Sequence, residues 1–135
     1  VRNPVPGRLS MCQQANEGVP MWIVTDRGFF SVVDKGEPEG CLCVRTRVRE
    51  DLENLCQLES LTSYADAIEE SRFSDYRFRI HVKREDWVKA AADLADQIDY
   101  DNFKNAVKAR QGTERASFYN QVWNDLYGMQ EKFAR

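Results

Sequence analysis

The sequence predicts an α+β fold: a mostly antiparallel four-stranded sheet, made of a three-stranded meander, a helix and a fourth strand, packed with about four helices, three of them C-terminal. Three observations predict it. From Met21 the chain carries short runs in which apolar and polar residues alternate, as successive side chains of a half-buried strand do. From Trp87 the spacing changes to apolar residues three and four apart, the period of one helix face. The order is three strands, a helix, a fourth strand and three helices, which suits helices packed on one sheet.

The elements follow in order. MWIVT and FFSVVD, at 21–25 and 29–34, are β-branched and aromatic runs joined by Asp26, Arg27 and Gly28, so they read as a hairpin. KGEPEG, Lys35 to Gly40, is a turn-rich connection. In CLCVRTRV, Leu42, Val44 and Val48 take one side and Cys41, Cys43, Arg45 and Arg47 the other. REDLENLCQL places Leu52, Leu55 and Cys56 at helical spacing, with its acids early where they suit the helix dipole. Residues 59–75 have no clear period, and a short helical turn is expected around 65–70. In YRFRIHVK, Tyr76, Phe78, Ile80 and Val82 are expected on the core face and Arg77, Arg79, His81 and Lys83 opposite them.

A helix is then expected with Trp87, Val88, Ala91, Leu94, Ala95 and Ile98 as its stripe and Glu85 and Asp86 in its first turn. IDYDNFKNAVKARQG predicts a short helix with Asp101 as N-cap, Phe103, Ala106 and Val107 inward, and Gly112 as terminator. Thr113 is expected to cap a last helix whose Phe118, Tyr119, Val122, Trp123, Leu126 and Tyr127 form a stripe wide enough to be largely buried. Gly128 is expected to end it.

Composition bounds the function. The chain has 135 residues, 42% of them hydrophobic and 30% charged, with a net charge of -3, so no general attraction to nucleic acid or anionic lipid is expected. No run reaches the roughly 18 apolar residues of a spanning helix, and the chain reads as cytoplasmic, without a membrane partner. Residues 1–20, rich in proline and glycine and without periodicity, read as a disordered leader upstream of a natural start at Met21, and residues 21–135 as a single domain. Four cysteines, Cys12, Cys41, Cys43 and Cys56, without other marks of a secreted scaffold, are expected as free thiols.

MWIVTDRGFFSVV, IDYDNFK and FYNQVWNDLYGM resemble segments of a family of small uncharacterised bacterial proteins that open with a Met-Trp strand, here Met21 and Trp22. The resemblance implies one intact domain over 21–135, and implies no activity, cofactor or site residue.

Three functional classes stand open. The first is a non-catalytic protein-interaction or regulatory module, with Trp22, Phe29, Phe30, Phe118, Tyr119, Trp123 and Tyr127 as its candidate surface and a protein partner or a second copy as its occupant. The second is a nucleic-acid or anion-binding module, because Arg45, Arg47, Arg77, Arg79, His81 and Lys83 have one parity and neighbouring strands would put them on one sheet face. The third is a small enzyme using Cys43 or His81. No nucleophile elbow or phosphate loop accompanies them, so no catalytic residue is assigned. Cys41, Cys43 and His81 share a parity but lack a fourth ligand; no metal site and no cofactor are assigned.

Overall fold

The computed structural model describes residues 20–134, so the expected leader and Cys12 lie outside the described residues. The chain forms two compact units. Among the described residues, the first comprises 20–24 together with Gly28–Gln97, and the second comprises Thr25–Arg27 and 98–134. Among the described residues the class is α+β, with one antiparallel sheet, four α-helices and a 3₁₀ helix. No described helix is long and apolar enough to cross a membrane.

The first unit carries β1 (Met21–Thr25), β2 (Gly28–Val33), β3 (Cys41–Thr46), α1 (Arg49–Leu55), a 3₁₀ helix (Glu59–Ala67), β4 (Glu69–Glu70), β5 (Phe78–Lys83) and α2 (Arg84–Asp96). The sheet order is β1-β2-β3-β5-β4, so it has five strands where four were expected. The meander of the first three strands is as predicted, and YRFRIHVK supplies β5, beside β3. The extra strand is the two-residue β4, which pairs Glu69 with Arg79 and Glu70 with Phe78. Two residues are too few to display an alternation, and the strand exists because β5 offers it an edge. The expected helical turn at 65–70 is likewise replaced by the longer 3₁₀ stretch that ends at Ala67.

The register of β3 on β5 sets Leu42 against Val82 and Val44 against Ile80 on one face, and Cys43 against His81 and Arg45 against Arg79 on the other. The apolar face is the core. Phe30, Val32, Leu42, Val44, Ile80 and Val82 meet Leu52 and Leu55 of α1, Cys56, Leu58 and Leu61 beyond it, and Trp87 and Ala90 of α2. Burying one such side chain contributes about 1.5–3 kcal/mol relative to leaving it in water.

Specific polar contacts place the helices on this face. Asp51 is buried in the first turn of α1 and its carboxylate accepts the Phe29 N–H at 3.1 Å, which ties α1 to β2. A Cβ on Gly28 would lie 2.5 Å from Asp51 Cγ, so the close approach of β2 to α1 requires glycine. Tyr64 of the 3₁₀ helix donates to Asp86 at 2.6 Å and accepts the Lys83 N–H at 3.1 Å, closing the start of α2. Burial first, and then the bond to Asp86, pushes the Tyr64 hydroxyl above its ordinary pKa. The buried stripe of α2 is Trp87, Ala90, Ala91 and Leu94, rotated from the expected one. Val88 is exposed, and Ile98 lies beyond the helix end.

In the second unit α3 (Phe103–Gln111) is followed by α4 (Thr113–Phe133) with Gly112 alone between them. Asn102, not Asp101, caps α3, its side chain accepting the Asn105 N–H at 3.0 Å. Gly112, at φ +94°, ends α3 through its N–H to Lys108 and starts α4 through its carbonyl, which accepts from Ala116. Thr113 is therefore already helical and makes no capping bond. The turn residue Asp26 pairs with Arg110 at 2.7 Å, and its carbonyl accepts from the Gln111 side chain at 2.6 Å. The helix α4 passes through Gly128 and runs on to Phe133, because one glycine costs about 1 kcal/mol relative to alanine and five further helical residues follow it.

Candidate functional site

The register places Arg45, Arg79, His81 and Lys83 of the predicted basic row on one sheet face, Arg47 and Arg77 lie just outside the paired strands, and most of the row's charge is engaged within the first unit. Arg45 is buried; its guanidinium donates to Ser31 Oγ at 2.7 Å and lies 4.5 Å from the centre of the Tyr76 ring. Arg47 lies 4.4 Å from the same ring and donates to the Asp75 carbonyl at 3.1 Å. Arg79, opposite Arg45, donates to Ser74 Oγ at 2.8 Å and to the Tyr76 carbonyl at 2.9 Å. Arg77 pairs with Glu70 at 2.6 Å. Lys83 is exposed at the strand end.

These contacts fold the segment 71–77 back over the basic face. Tyr76 was expected on the core face; instead it is buried against Arg45, Arg47 and Phe29 on the opposite one. Strand pairing begins at Phe78, so the alternation that assigned Tyr76 a side does not extend to it. A desolvated arginine over an aromatic ring, as Arg45 is here, contributes up to about 2 kcal/mol, and an exposed one such as Arg47 about 0.5–1 kcal/mol.

Three buried nitrogens on this face have no hydrogen-bond partner: Arg45 Nε, Arg79 Nε and His81 Nδ1. Glu69 stands opposite Arg79 in the register, yet no ion pair joins them. Cys43, opposite His81, is 1% exposed, and its burial raises the thiol pKa despite the opposing fields of Arg79 and Arg45. A nucleophilic cysteine needs the reverse. Cys56, in the core, is pushed up to about 11 by burial. Among the described residues no three metal-ligating side chains form a group, so Cys41, Cys43 and His81 do not assemble a site for an ion.

The candidate interaction surface divides. Phe30 is fully buried in the core of the first unit and is removed from it. Phe29 is half-buried between Trp22, which it meets edge-on at 5.6 Å, and Tyr76. Trp22 itself is exposed.

In the second unit the outcome reverses the expectation for α4. Its stripe was expected to be largely buried, yet Ala116 is the one buried residue of the helix. Phe118, Val122, Trp123, Leu126, Tyr127, Met129 and Phe133 are 44–71% exposed. The error lies in counting apolar residues without counting what covers them: α3 is nine residues long and reaches the first turns of α4 only. There Phe103 meets Tyr119 at 5.9 Å, and Phe103, Val107, Ala116, Tyr119 and Trp123 line a groove of about 420 Å³. Tyr127 stacks on Trp123 at 5.4 Å and 9°, so the aromatic pair is set on the helix without an outside partner. Met129 and Phe133 join the face because the helix continues through Gly128, where the glycine predicts an end.

Compared with protein-family models, with curated proteins and with solved structures, the chain matches none.

Proposed function

We propose that this chain is a non-catalytic, cytoplasmic protein-interaction module that presents α4 as its contact surface. The observation that carries the reading is the run of seven large apolar side chains, Phe118 to Phe133, left 44–71% exposed on one helix. Exposed apolar surface of this extent is characteristic of binding sites, and an apolar helix face is a common recognition element. The thiols support the non-catalytic part: Cys43 and Cys56 are both buried and shifted away from thiolate.

The test is photo-crosslinking in cells, with a photoreactive amino acid in place of Trp123 or Phe133 and, as control, in place of the exposed Lys89 of α2. A discrete adduct from the α4 positions and none from Lys89 is the expected result. Without an α4 adduct the reading fails.

A second reading has its own observation. The unpartnered nitrogens of Arg45, Arg79 and His81 are buried, and an anionic group would satisfy them once the 71–77 segment lifts from the face, which supports a phosphate or nucleic-acid contact there. It predicts binding of short single-stranded RNA that weakens as salt rises and disappears with Arg79→Gln. Salt-insensitive or absent binding removes it.

A further inference from the structure

We infer that α4 pairs with α4 of a second copy of this chain as a short antiparallel coiled coil, a deepening that rests on the interaction-module reading above. The spacing of the exposed face carries the inference. Tyr119, Val122, Leu126, Met129 and Phe133 follow one another at intervals of three, four, three and four residues. This is the three-four spacing of a heptad seam, which keeps a stripe turned towards a partner helix, and the exposed Phe118, Trp123 and Tyr127 lie beside it. Tyr119 is half-buried against Phe103, so the free part of the seam begins at Val122. In heptad terms Leu126 and Phe133 take the a positions and Val122 and Met129 the d positions.

The seam is self-complementary in one antiparallel register. An antiparallel pair sets a against d, and with Leu126 facing Met129 of the second copy, Phe133 faces Val122. All four layers of the pair are then apolar, two kinds of layer each occurring twice by the twofold symmetry. The flanks decide the direction. In this register Asp125 meets Lys132 of the second copy on one side, twice by symmetry, and Trp123 meets Gln130 on the other. In a parallel pair Asp125 would meet Gln130 and Lys132 would find no acid. Asp125 and Lys132 are both exposed, and none of the described ion pairs uses either.

The area is sufficient. Val122, Trp123, Leu126, Met129 and Phe133 are 44–71% exposed. With the stems of Asp125, Gln130 and Lys132 they offer on the order of 600 Å² per copy, the lower end of specific interfaces at about 1,200 Å² in total. Two heptads are short for a free coiled coil, and the flanking Trp123 supplies apolar area that a seam alone would lack.

The experiment is the solution mass of the full chain across micromolar concentrations by sedimentation equilibrium, for wild type, Leu126→Asp, Asp125→Lys, Lys132→Asp and the double charge swap. The expected result is a concentration-dependent dimer. Leu126→Asp should weaken it about 100-fold or more, while its exposed position keeps the fold and its thermal unfolding intact. Each single charge reversal should weaken the dimer about 10-fold, since it spoils two symmetry-related pairs, and the double swap should restore it. A monomer at every concentration overturns the inference. So does a dimer indifferent to Leu126→Asp, or one that Leu126→Asp abolishes but the charge reversals leave unchanged. A monomer whose α4 still yields a crosslinked adduct with a different protein defeats this pairing and leaves the interaction reading standing.

Discussion

The basic sheet face and the apolar face of α4 exchange the roles that their compositions suggest. Arg45, Arg47 and Arg79 look like a surface, yet they hold the 71–77 segment over the sheet and bury Tyr76. Phe118 to Phe133 look like a core, yet they stand in solvent. What separates the two cases is the neighbourhood each side chain finds. Arginine can be buried when carbonyls, hydroxyls and an aromatic ring receive it, and a phenylalanine remains exposed when the helix beside it is too short to cover it.

The sharpest way to break this comparison is to make the same substitution in both places. Leu52 is fully buried and Leu126 is 58% exposed. Leu52→Ala should cost about 3 kcal/mol, as core truncations do. Leu126→Ala should cost less than about 1 kcal/mol in the monomer, read by urea denaturation at a concentration below any association. Equal losses would mean that α4 has a buried face after all.

The next effect concerns pH. Cys56 is 3% exposed and its pKa stands at about 11 in the folded chain, against 9.0 as its ordinary value. Between those values the unfolded chain has released the proton and the folded chain still holds it, so stability falls as pH rises. The contribution is fully present below about pH 9 and amounts to about 2–3 kcal/mol lost by pH 11. Chemical denaturation at pH 8 and pH 10.5, compared between wild type and Cys56→Ala, should show a steeper alkaline decline in the wild type. Parallel declines would refute the shift.

Smaller effects sharpen the description of the second unit. Asn102→Ala removes the acceptor for the Asn105 N–H and should cost about 1 kcal/mol, whereas Asp101→Ala should leave stability within about 0.5 kcal/mol. A larger loss at Asp101 would reinstate it as the cap. Gly128→Ala should stabilise the chain by about 0.5–1 kcal/mol, since a Cβ there meets nothing within 4 Å and the helix is continuous through it. Destabilisation, measured by thermal unfolding, would mean that α4 stops where the glycine suggested.

The fold was legible where one physical signal dominated. Val44 and Ile80 lie on alternate positions of long strands, and their period-2 pattern specified both the face and the pairing of β3 with β5. Leu52 and Leu55, with acids before them, announced α1. What escaped detection depends on contacts between segments remote in sequence. Glu69 and Glu70 form a strand because β5 lies beside them. Gly28 and Asp51 are 23 positions apart by numbering, and no local pattern joins them, although a glycine opening an aromatic strand was the available sign of a close approach. Arg45, Arg79, His81 and Lys83 share a face as their parity implies, whereas the period does not reach Arg77 or Tyr76, which precede the paired strand. For α4 the apolar spacing was right and its burial was not, since spacing reports which residues share a face and is silent about what lies opposite it.

Gly112 gives the second unit a lever. Two helices share this residue as their common boundary, so the angle between them is set by a single pair of backbone dihedrals at φ +94°. The 21 residues of α4 extend about 30 Å from that pivot, and a rotation of roughly 10° there carries Phe133 through about 5 Å. A β-carbon at position 112 would meet no neighbour, yet the left-handed backbone would resist it, and the far end of the helix would register the change most. Small corrections at the hinge are thereby magnified at the tip.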